Sequence, residues 1–398
     1  MNSYFTNAET VEHLTGADEQ TIKQFETSLV QLTNKTAELM PKFGLRSPRL
    51  GNTDLTYAHC QDGDWVAGFW PGILWLSYSL TADKKFSGAA VARRPFFQNV
   101  LDQPELQEHD LGFLFQLTSV YEYKFTGDVR AREMGLRAAE ALRGRFCHIG
   151  RFIKAWKPRP YDGDVRIGLA AGKMIIDCMM NLGLLMWAYR ETGVESFRDV
   201  AIAHADTSAE RLVRDDFTTY HVFDFDPVTE APIGAGTHQG YLDDSCWSRG
   251  QGWALFGFAQ MAKSTGNTGY RDLALKIAFK TIDLMAESTV PLWDFSIPKD
   301  EPQYVDSSAG AILANGFLLL ADQVSDLDAV KLRRQAIEIL KGLAESCDIS
   351  NVENAEGFLN QGAAHVTAGV CDNMLPYGDY YYMEALMRVL GHKDFCWS

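Results

Sequence analysis

The sequence predicts an all-α protein folded as an (α/α)6 barrel, in which six inner helices are wrapped by six outer helices. The first observation behind this prediction is a recurring unit: Thr-Gly, a short polar turn, an Arg and then apolar residues at helical spacing follow Thr126, Thr192 and Thr265. The second is a contrast between neighbouring helices. The helix before each Thr-Gly is apolar nearly all round, as a buried helix is, whereas the next one mixes charges with Ala, Leu and Ile. A recurring helical hairpin of this kind is typical of a closed or stacked array.

Five or six such hairpins can be counted along the chain. The apolar first helices include GFLFQLTSVYEYK, IIDCMMNLGLLMWAYRE and GWALFGFAQMAKS, and a shorter version of the unit begins at Trp70. Later hairpins include SSAGAILANGFLLLADQV with AVKLRRQAIEILKGLAES, and the last inner helix is GDYYYMEALMRVL. We expect a single domain in which residues 51–398 form the barrel and residues 1–50 form an N-terminal helical extension packed on it. The alternative is a helical bundle without ring closure.

Long links rich in Gly, Asp, Trp and His connect the hairpins. Links of this length are usually functional or disordered, and these are too aromatic to be disordered. In a barrel of helical hairpins, the links that precede the inner helices lie at one end. We therefore expect them to form a single cleft there.

Composition and charge exclude several classes of partner. Lys and Arg number 37 against 52 Asp and Glu, which gives a net charge of −15. Such a surface is poorly suited to nucleic acid, because affinity for phosphate comes from Lys and Arg. No run of apolar residues is long enough to span a bilayer, and no secretion signal opens the sequence, so no membrane partner is expected. Seven cysteines without a paired spacing indicate reduced thiols and a cytoplasmic location.

Two aspartates open adjacent apolar helices. Asp110 precedes LGFLFQLTSVYEY, and Asp177 is flanked by Ile, Cys and Met in MIIDCMMNLGLL. A carboxylate at the start of a helix can act as an N-cap, which is the alternative interpretation of Asp110. Asp177 would be removed from water, and burial raises the pKa of an unpaired carboxyl group. Two such groups facing each other would form a general acid and its helper.

The links also carry residue types that bind sugars. Flat indole rings can cover the apolar face of a pyranose, and Arg249 lies between two tryptophans in CWSRGQGW, suited to pairing with a ligand carboxylate. Trp75 and Trp187, within helices, are better interpreted as core. No pattern typical of a zinc site, an EF-hand, a nucleophile elbow or a dinucleotide-binding loop is present. The aromatic and histidine candidates in or beside the links are Trp65, Trp70, Trp156, Trp247, Trp253, His109, His221 and His238.

Together these motifs resemble glycoside hydrolase family 88, the unsaturated glucuronyl hydrolases. The resemblance rests on HDLGF around Asp110, IIDCMMNL around Asp177, HQGYLDDSCWSRGQGW from His238 to Trp253, and YGDYYYMEALMR from Tyr377 to Arg388. It runs in the same order from about Trp65 to the C-terminal end. It implies an (α/α)6 barrel, in agreement with the repeat.

The resemblance also implies a reaction. These enzymes remove a 4,5-unsaturated uronic acid from lyase-generated oligosaccharides by hydrating its vinyl ether, with protonation at C4 and addition of water at C5. By resemblance, Asp177 is the general acid and base, and Asp110 contacts the sugar and helps to keep Asp177 protonated. Arg249 and Gln239 are expected near the uronate carboxylate. The resemblance implies neither a metal nor an organic cofactor. The residues implied to line the substrate pocket are Trp65, His109, His221, His238, Gln239, Trp247, Arg249 and Trp253.

One departure from the family pattern concerns sulfate. Members that prefer sulfated disaccharides share a Ser-x-x-Ser-Gly-Lys stretch, where this chain has HVTAGV with His365, Thr367 and Gly369. A strong sulfate requirement is therefore not expected. The source polysaccharide is left open, and so is the choice between monomer and homodimer. The alternatives are a family 105 rhamnogalacturonyl hydrolase, which HDLGF disfavours, a carbohydrate-binding barrel without catalysis, and an epimerase or isomerase that uses histidines.

Overall fold

The computed structural model describes residues 17–157 and 172–397. Part of one long link and the first sixteen residues of the predicted N-terminal extension therefore lie outside the described residues. In chain order the helices are α1 (Glu19–Phe43), α2 (Phe69–Thr81), α3 (Lys84–Val91), α4 (Arg94–Asp102), α5 (Leu111–Phe115), α6 (Tyr121–Thr126), α7 (Val129–Arg143), α8 (Cys178–Thr192), α9 (Glu195–Arg211), α10 (Ser248–Thr265), α11 (Thr268–Met285), α12 (Ser307–Ala321), α13 (Asp326–Ser346) and α14 (Pro376–Val389). A π-helical turn, Gln116–Val120, joins α5 to α6.

The helices alternate between an inner and an outer ring. The inner ring consists of α2, the α5–α6 segment, α8, α10, α12 and α14, and these helices are buried over nearly their whole length. The outer helices α3, α7, α9, α11 and α13 each follow an inner helix, and they bury one face only. The last inner helix, α14, packs against the first, α2, so the ring is closed. The predicted (α/α)6 barrel is confirmed, and an open bundle is excluded.

Helix α1 packs on the barrel against α14 and α2. It begins after Asp18, whose carboxylate caps the helix by accepting the N–H of Thr21 at 2.7 Å. Since α14 is followed by no outer helix within the described residues, α1 supplies the outer partner of that inner helix. The described part of the predicted extension therefore completes the outer ring.

The recurring Thr-Gly has a local structural cause. Each glycine ends an inner helix in the left-handed conformation, with φ of 71° at Gly127, 70° at Gly193 and 71° at Gly266. The threonine before it donates its hydroxyl to the carbonyl four residues earlier, and the same hydroxyl accepts the backbone N–H two residues later. The unit is therefore a helix stop and turn that sends the chain from the inner to the outer ring.

Within residues 17–157 and 172–397, short strands form three small antiparallel sheets. They are β1 (Pro48–Gly51) with β2 (Tyr57–His59), β3 (Phe146–Cys147) with β4 (Phe152–Ile153), and β5 (Lys173–Ile175), β6 (Val222–Phe225) and β7 (Pro232–Gly236). The third sheet pairs Ile175 with Val222. This register brings the start of α8 next to the residues that precede β6.

The tryptophans divide between core and cleft. Trp75 and Trp187 are buried within helices, which confirms their interpretation as core residues. Trp70 is also buried inside α2, with its ring centroid 4.8 Å from that of Phe43, so its placement among the sugar-binding candidates is wrong. All seven cysteines are unpaired. Within the described residues, no helix is long and apolar enough to cross a membrane.

Candidate active site

Two carboxylates stand at the start of neighbouring inner helices. Asp110 immediately precedes α5 and Asp177 immediately precedes α8, and these helices pack against each other. Both occupy the position from which a side chain can cap a helix, yet neither makes a capping hydrogen bond, so an N-cap role for Asp110 is not observed. Their side chains are 14% and 15% exposed. Both carboxyl groups are therefore largely desolvated but still reachable by a ligand.

Asp177 faces the ring of His221. The backbone N–H of Ile176 donates to the carbonyl of His221 at 3.0 Å, which continues the β5–β6 pairing up to the catalytic candidates. Nε2 of His221 lies 3.6 Å from Oδ2 of Asp177. On the other side of the ring, Nδ1 accepts the backbone N–H groups of His238 at 3.2 Å and Gln239 at 3.1 Å. An accepting Nδ1 carries no proton, so the neutral ring carries its proton on Nε2, directed at Asp177.

Burial raises the pKa of Asp177 to about 7. The positive charge of Arg249 and the indole N–H of Trp253, which faces the carboxyl group without forming a hydrogen bond, oppose this effect. Burial lowers the pKa of His221 well below its usual value, and the charges of His238 and Arg249 lower it further. At neutral pH the pair is therefore a neutral imidazole beside a carboxyl group that can hold a proton.

Asp110 is also a carboxyl group with a raised pKa. Burial is the main cause, the charges of Glu108 and Asp177 add to it, and Arg145 opposes it. The resemblance implies that Asp110 helps to keep Asp177 protonated. Burial is the largest cause of the raised pKa of each carboxyl group. Repulsion between the two is mutual, so two adjacent carboxyl groups in a dry site resist being charged together.

Two further side chains contact or face Asp110. Nε2 of His109 lies 3.4 Å from its Oδ1, and burial lowers the pKa of His109 well below its usual value. The amide of Asn181 faces Asp110 and lowers the pKa of its carboxyl group. Oδ1 of Asn181 accepts the backbone N–H of Phe113 at 2.8 Å, which fixes α5 against α8. Because His109 and His221, the two histidines beside the aspartates, are held neutral, the arrangement disfavours an epimerase that uses either of them as the acid.

The three predicted tryptophans differ in what they can offer a ligand. Trp65 is partly exposed, and its ring is stacked on that of Tyr377 with centroids 5.0 Å apart. Trp247 is buried, with its ring 4.4 Å from that of His221. Trp253 is fully buried in α10 and contributes its N–H instead of a ring face. Of the three, Trp65 is thus the one with a ring surface available to a sugar.

Arg249 and Gln239 are engaged with the protein. The Nη1 atom of Arg249 donates to Asp306 and, at 2.8 Å, to the carbonyl of Ala363, and Nη2 donates to the carbonyl of Ala364 at 2.9 Å. Nε2 of Gln239 donates to the same Ala364 carbonyl at 2.7 Å. These bonds use three of the five N–H groups of Arg249, so the predicted contact with a uronate carboxylate is limited to the remaining two. Its charge nevertheless lies close enough to Asp177 to affect its pKa.

The outer part of the cleft carries His238, His365 and Trp156. The ring of His238 lies 4.9 Å from that of His365 and 5.2 Å from that of Trp156, measured between centroids. His238 is exposed, and the other two are partly exposed. His238 therefore lies at the exposed edge of the site, beside the buried ring of His221 that faces Asp177.

Buried polar atoms without a hydrogen-bond partner converge at the deep end. Most buried polar groups in proteins have partners, so such a cluster indicates room for a polar ligand. Within the described residues, no group of three or more His, Cys, Asp or Glu could hold a metal ion. The unpartnered atoms at this end are Oδ2 of Asp177, Nε2 of His221 and Nε1 of Trp253.

Sequence reasoning missed three residues of this site. Asn181 lies one helical turn after Asp177 on the same face of α8, a spacing that could have revealed it. Tyr377, in the YGDYYYMEALMR motif, is buried beneath Trp65, and burial raises the pKa of its phenol to about 12. Asp306 is fully buried before α12, and no local signal distinguishes it from an ordinary N-cap.

A separate cavity of about 520 Å³ lies at the opposite end of the barrel. Its lining includes Lys263 and Arg388, which lie in the last turns of α10 and α14. Cations in the last turn of a helix stabilise its negative end. Stabilisation of the helix ends therefore explains why both cations lie at this cavity, and no ligand is needed to explain them.

Comparison with known proteins decides the family. The sequence model described as Glycosyl Hydrolase Family 88 matches residues 48–393. The chain belongs to this family. The predicted resemblance and the prediction of a glycoside hydrolase are thus confirmed.

Relatives of this family 88 chain are similar over most of their length. An unsaturated glucuronyl hydrolase of Bacillus sp. (strain GL1) is 39% identical over 362 residues, covering 89% of this chain and 93% of the relative. A crystal structure of unsaturated glucuronyl hydrolase from Bacillus sp. GL1 superimposes with a TM-score of 0.85 at 37% identity and covers 92% of this chain and 96% of that one. A structure of unsaturated glucuronyl hydrolase from Streptococcus agalactiae gives a TM-score of 0.88 at 29% identity, covering 99% and 98%.

Proposed function

We propose that this family 88 hydrolase releases 4,5-unsaturated uronic acid from the non-reducing end of lyase-generated oligosaccharides. The observation that carries the proposal is the environment of Asp177. Burial raises its pKa to about 7, and the neutral ring of His221 faces it without adding a charge. Names of similar proteins support the substrate class, since they include unsaturated glucuronyl hydrolase and, for Streptococcus pneumoniae, unsaturated chondroitin disaccharide hydrolase at 34% identity.

In the proposed reaction Asp177 acts as acid and then as base. Its protonated carboxyl group donates a proton to C4 of the unsaturated sugar, and the positive charge that develops at C5 is shared with the ring oxygen. Water adds to C5 and gives up a proton to the Asp177 carboxylate, which restores the starting state. The resulting hemiketal opens to a ketone at C5 and a hemiacetal at C1. The hemiacetal breaks down to an aldehyde at C1 and releases the aglycone as an alcohol. One water is consumed, and no covalent enzyme intermediate forms.

The other residues hold and polarise the substrate. Asp110 accepts a hydroxyl of the sugar. A negative charge on Asp110 also disfavours ionisation of Asp177. Trp65 offers a ring face to the sugar. The charge of Arg249 attracts the uronate, since in a low-dielectric site a charge acts over several ångströms.

The test is spectroscopic. The native protein should consume the ultraviolet absorbance of the unsaturated bond when it is given a panel of lyase-generated disaccharides. Absence of turnover on every member of the panel would contradict the proposed function. A saturated uronide with the same aglycone is the control, and it should not be cleaved, because protonation at C4 requires the double bond.

We further propose a cytoplasmic location and a monomer or homodimer as the working state. Seven unpaired cysteines support a reducing compartment. Fractionation of the source cells and light scattering of the purified protein test the two statements separately.

A further inference from the structure

The segment Ala363–His365, called here the mouth wall, borders the outer part of the cleft. Its His365 ring contacts the ring of His238, which lies outward of His221 and Asp177. His238 and His365 are more exposed than His221, so a second sugar can extend on this side when the double bond of a substrate reaches Asp177. The mouth wall is therefore placed to contact the aglycone and not the unsaturated ring.

Bonds from three other parts of the chain hold the mouth wall in place. Arg249 donates to the carbonyls of Ala363 and Ala364, and Gln239 donates to the carbonyl of Ala364. Oδ1 of Asp306 accepts the N–H of Ala363 at 3.2 Å. Residues at the starts of α10 and α12 thus form hydrogen bonds with the backbone of one short segment.

Arg249 is itself held in place by an ion pair and by contacts with two aromatic rings. It is ion-paired with Asp306, and both side chains are almost fully buried, at 2% and 0% exposed. The guanidinium lies 4.5 Å from the ring of Trp247 and 5.4 Å from that of Tyr377. A carboxylate-binding arginine normally presents two adjacent N–H groups to its ligand. Here three of the five N–H groups already serve Asp306 and the mouth wall, so Arg249 has a bonding role within the protein whether or not a ligand is bound.

We propose that Arg249 and Asp306 are positioning residues that set the mouth wall and thereby the enzyme's selectivity for the sugar attached to the unsaturated uronate. This inference rests on the proposed function for its substrate class. It differs from a carboxylate-binding role because that role would act equally on every substrate carrying the uronate. A mouth-wall role acts on the aglycone.

The kinetic test compares three substrates in the native protein, Arg249→Lys and Asp306→Asn. The three substrates are an unsaturated disaccharide, the methyl glycoside of the same unsaturated uronic acid, and the methyl ester of that glycoside. Both variants should lose about tenfold or more in kcat/KM on the disaccharide, and far less on the methyl glycoside. The ratio between acid and ester should stay at its native value in Arg249→Lys. The proposal would be overturned if kcat/KM fell equally on the disaccharide and the methyl glycoside, or did not fall at all. It would also be overturned if the loss of kcat/KM disappeared on the methyl ester.

A matched control and a second readout keep the test decisive. Arg94→Lys alters an arginine that pairs with two carboxylates, Glu122 and Asp128, away from the cleft, and it should leave selectivity unchanged. Amide hydrogen exchange needs no turnover: residues 362–370 should exchange faster in Asp306→Asn and Arg249→Lys but not in Arg94→Lys. Unchanged exchange there would refute the positioning role even if the native protein proved inactive. If either variant fails to fold, Gln239→Leu, which removes another bond to the mouth wall, must show the same selectivity change and faster exchange.

Discussion

Nε2 of His221 lies 3.6 Å from Oδ2 of Asp177, and the two backbone N–H groups bound to Nδ1 fix the proton of the ring on the nitrogen that faces the acid. A charged imidazolium at this position would lower the pKa of Asp177 far more than the neutral ring does, since the Nε2 of the ring stays 3.6 Å from the carboxyl oxygen. The backbone of His238 and Gln239 therefore contributes to the acidity of a residue that it does not touch.

Replacing Asp177 with Asn should abolish turnover. The amide cannot donate the proton or take one from water, so we expect a loss of about a thousandfold or more in kcat, in line with general acid and base groups elsewhere. The absorbance assay measures it. Asp379→Asn is the control, because burial also raises the pKa of that carboxyl group to about 7, yet Tyr57 and two backbone N–H groups bind it. Asp379→Asn should lower the melting temperature and change turnover of the folded protein little.

The rate should fall as pH rises through about 7. Asp177 must be protonated to act as an acid, and its pKa is raised from 3.8 to about 7, so the active form dominates below that pH and is lost above it. A profile of kcat/KM against pH measures this alkaline limb. A rate that stays constant from pH 6 to pH 9 would exclude Asp177 as the proton donor in the free enzyme.

Trp253→Phe should move the alkaline limb to higher pH. The indole N–H favours the charged form of Asp177 and so lowers its pKa. Without this N–H, the effect of burial is opposed less, and the pKa of the carboxyl group rises. Phe keeps most of the packing against Phe113 and Tyr381. Trp187→Phe, in the core of α8, is the matched control and should leave the limb where it is. A shift to lower pH in Trp253→Phe would contradict the assigned direction.

Asp177→Asn should also stabilise the fold, with a defined pH dependence. The folded state raises the pKa of Asp177, so the native side chain is neutral at low pH and increasingly unfavourable as pH rises from 3.8 to about 7. The gain in free energy of unfolding should therefore grow across this window and level off above it, reaching on the order of 2 kcal/mol, less than the full shift allows because the group is partly exposed. Urea unfolding at pH 5 and pH 8 measures the difference. A smaller gain at pH 8 than at pH 5 would show that burial does not disfavour the ionised form of Asp177 in the folded protein.

The ring of helices could be predicted because its causes are local. A threonine that bonds back four residues and a glycine with positive φ can be inferred from a few neighbouring letters, and so can a helix that is apolar all round. Asp110 and Asp177 could be predicted for the same reason, since a carboxylate beside an apolar run is visible in the sequence.

The contacts within the cleft could not be predicted in this way. Arg249 lies between two tryptophans, and this suggests a ligand site, but its partners Asp306 and Ala363 are 57 and 114 residues away in sequence. The pairing of Asp177 with His221 depends on the register of β5 and β6, which the letters of these short strands do not specify. The burial of Trp253 follows from the closure of the ring around it.

The packing of α14 against both α1 and α2 has a consequence for how the molecule comes apart. In an open solenoid, the terminal repeats have one neighbour each and can fray before the middle. Here the first and last inner helices are neighbours, so the described ring contains no terminal hairpin that could peel away first. Loss of any one hairpin opens the whole circle, and heat or denaturant should therefore melt the barrel in a single concerted transition.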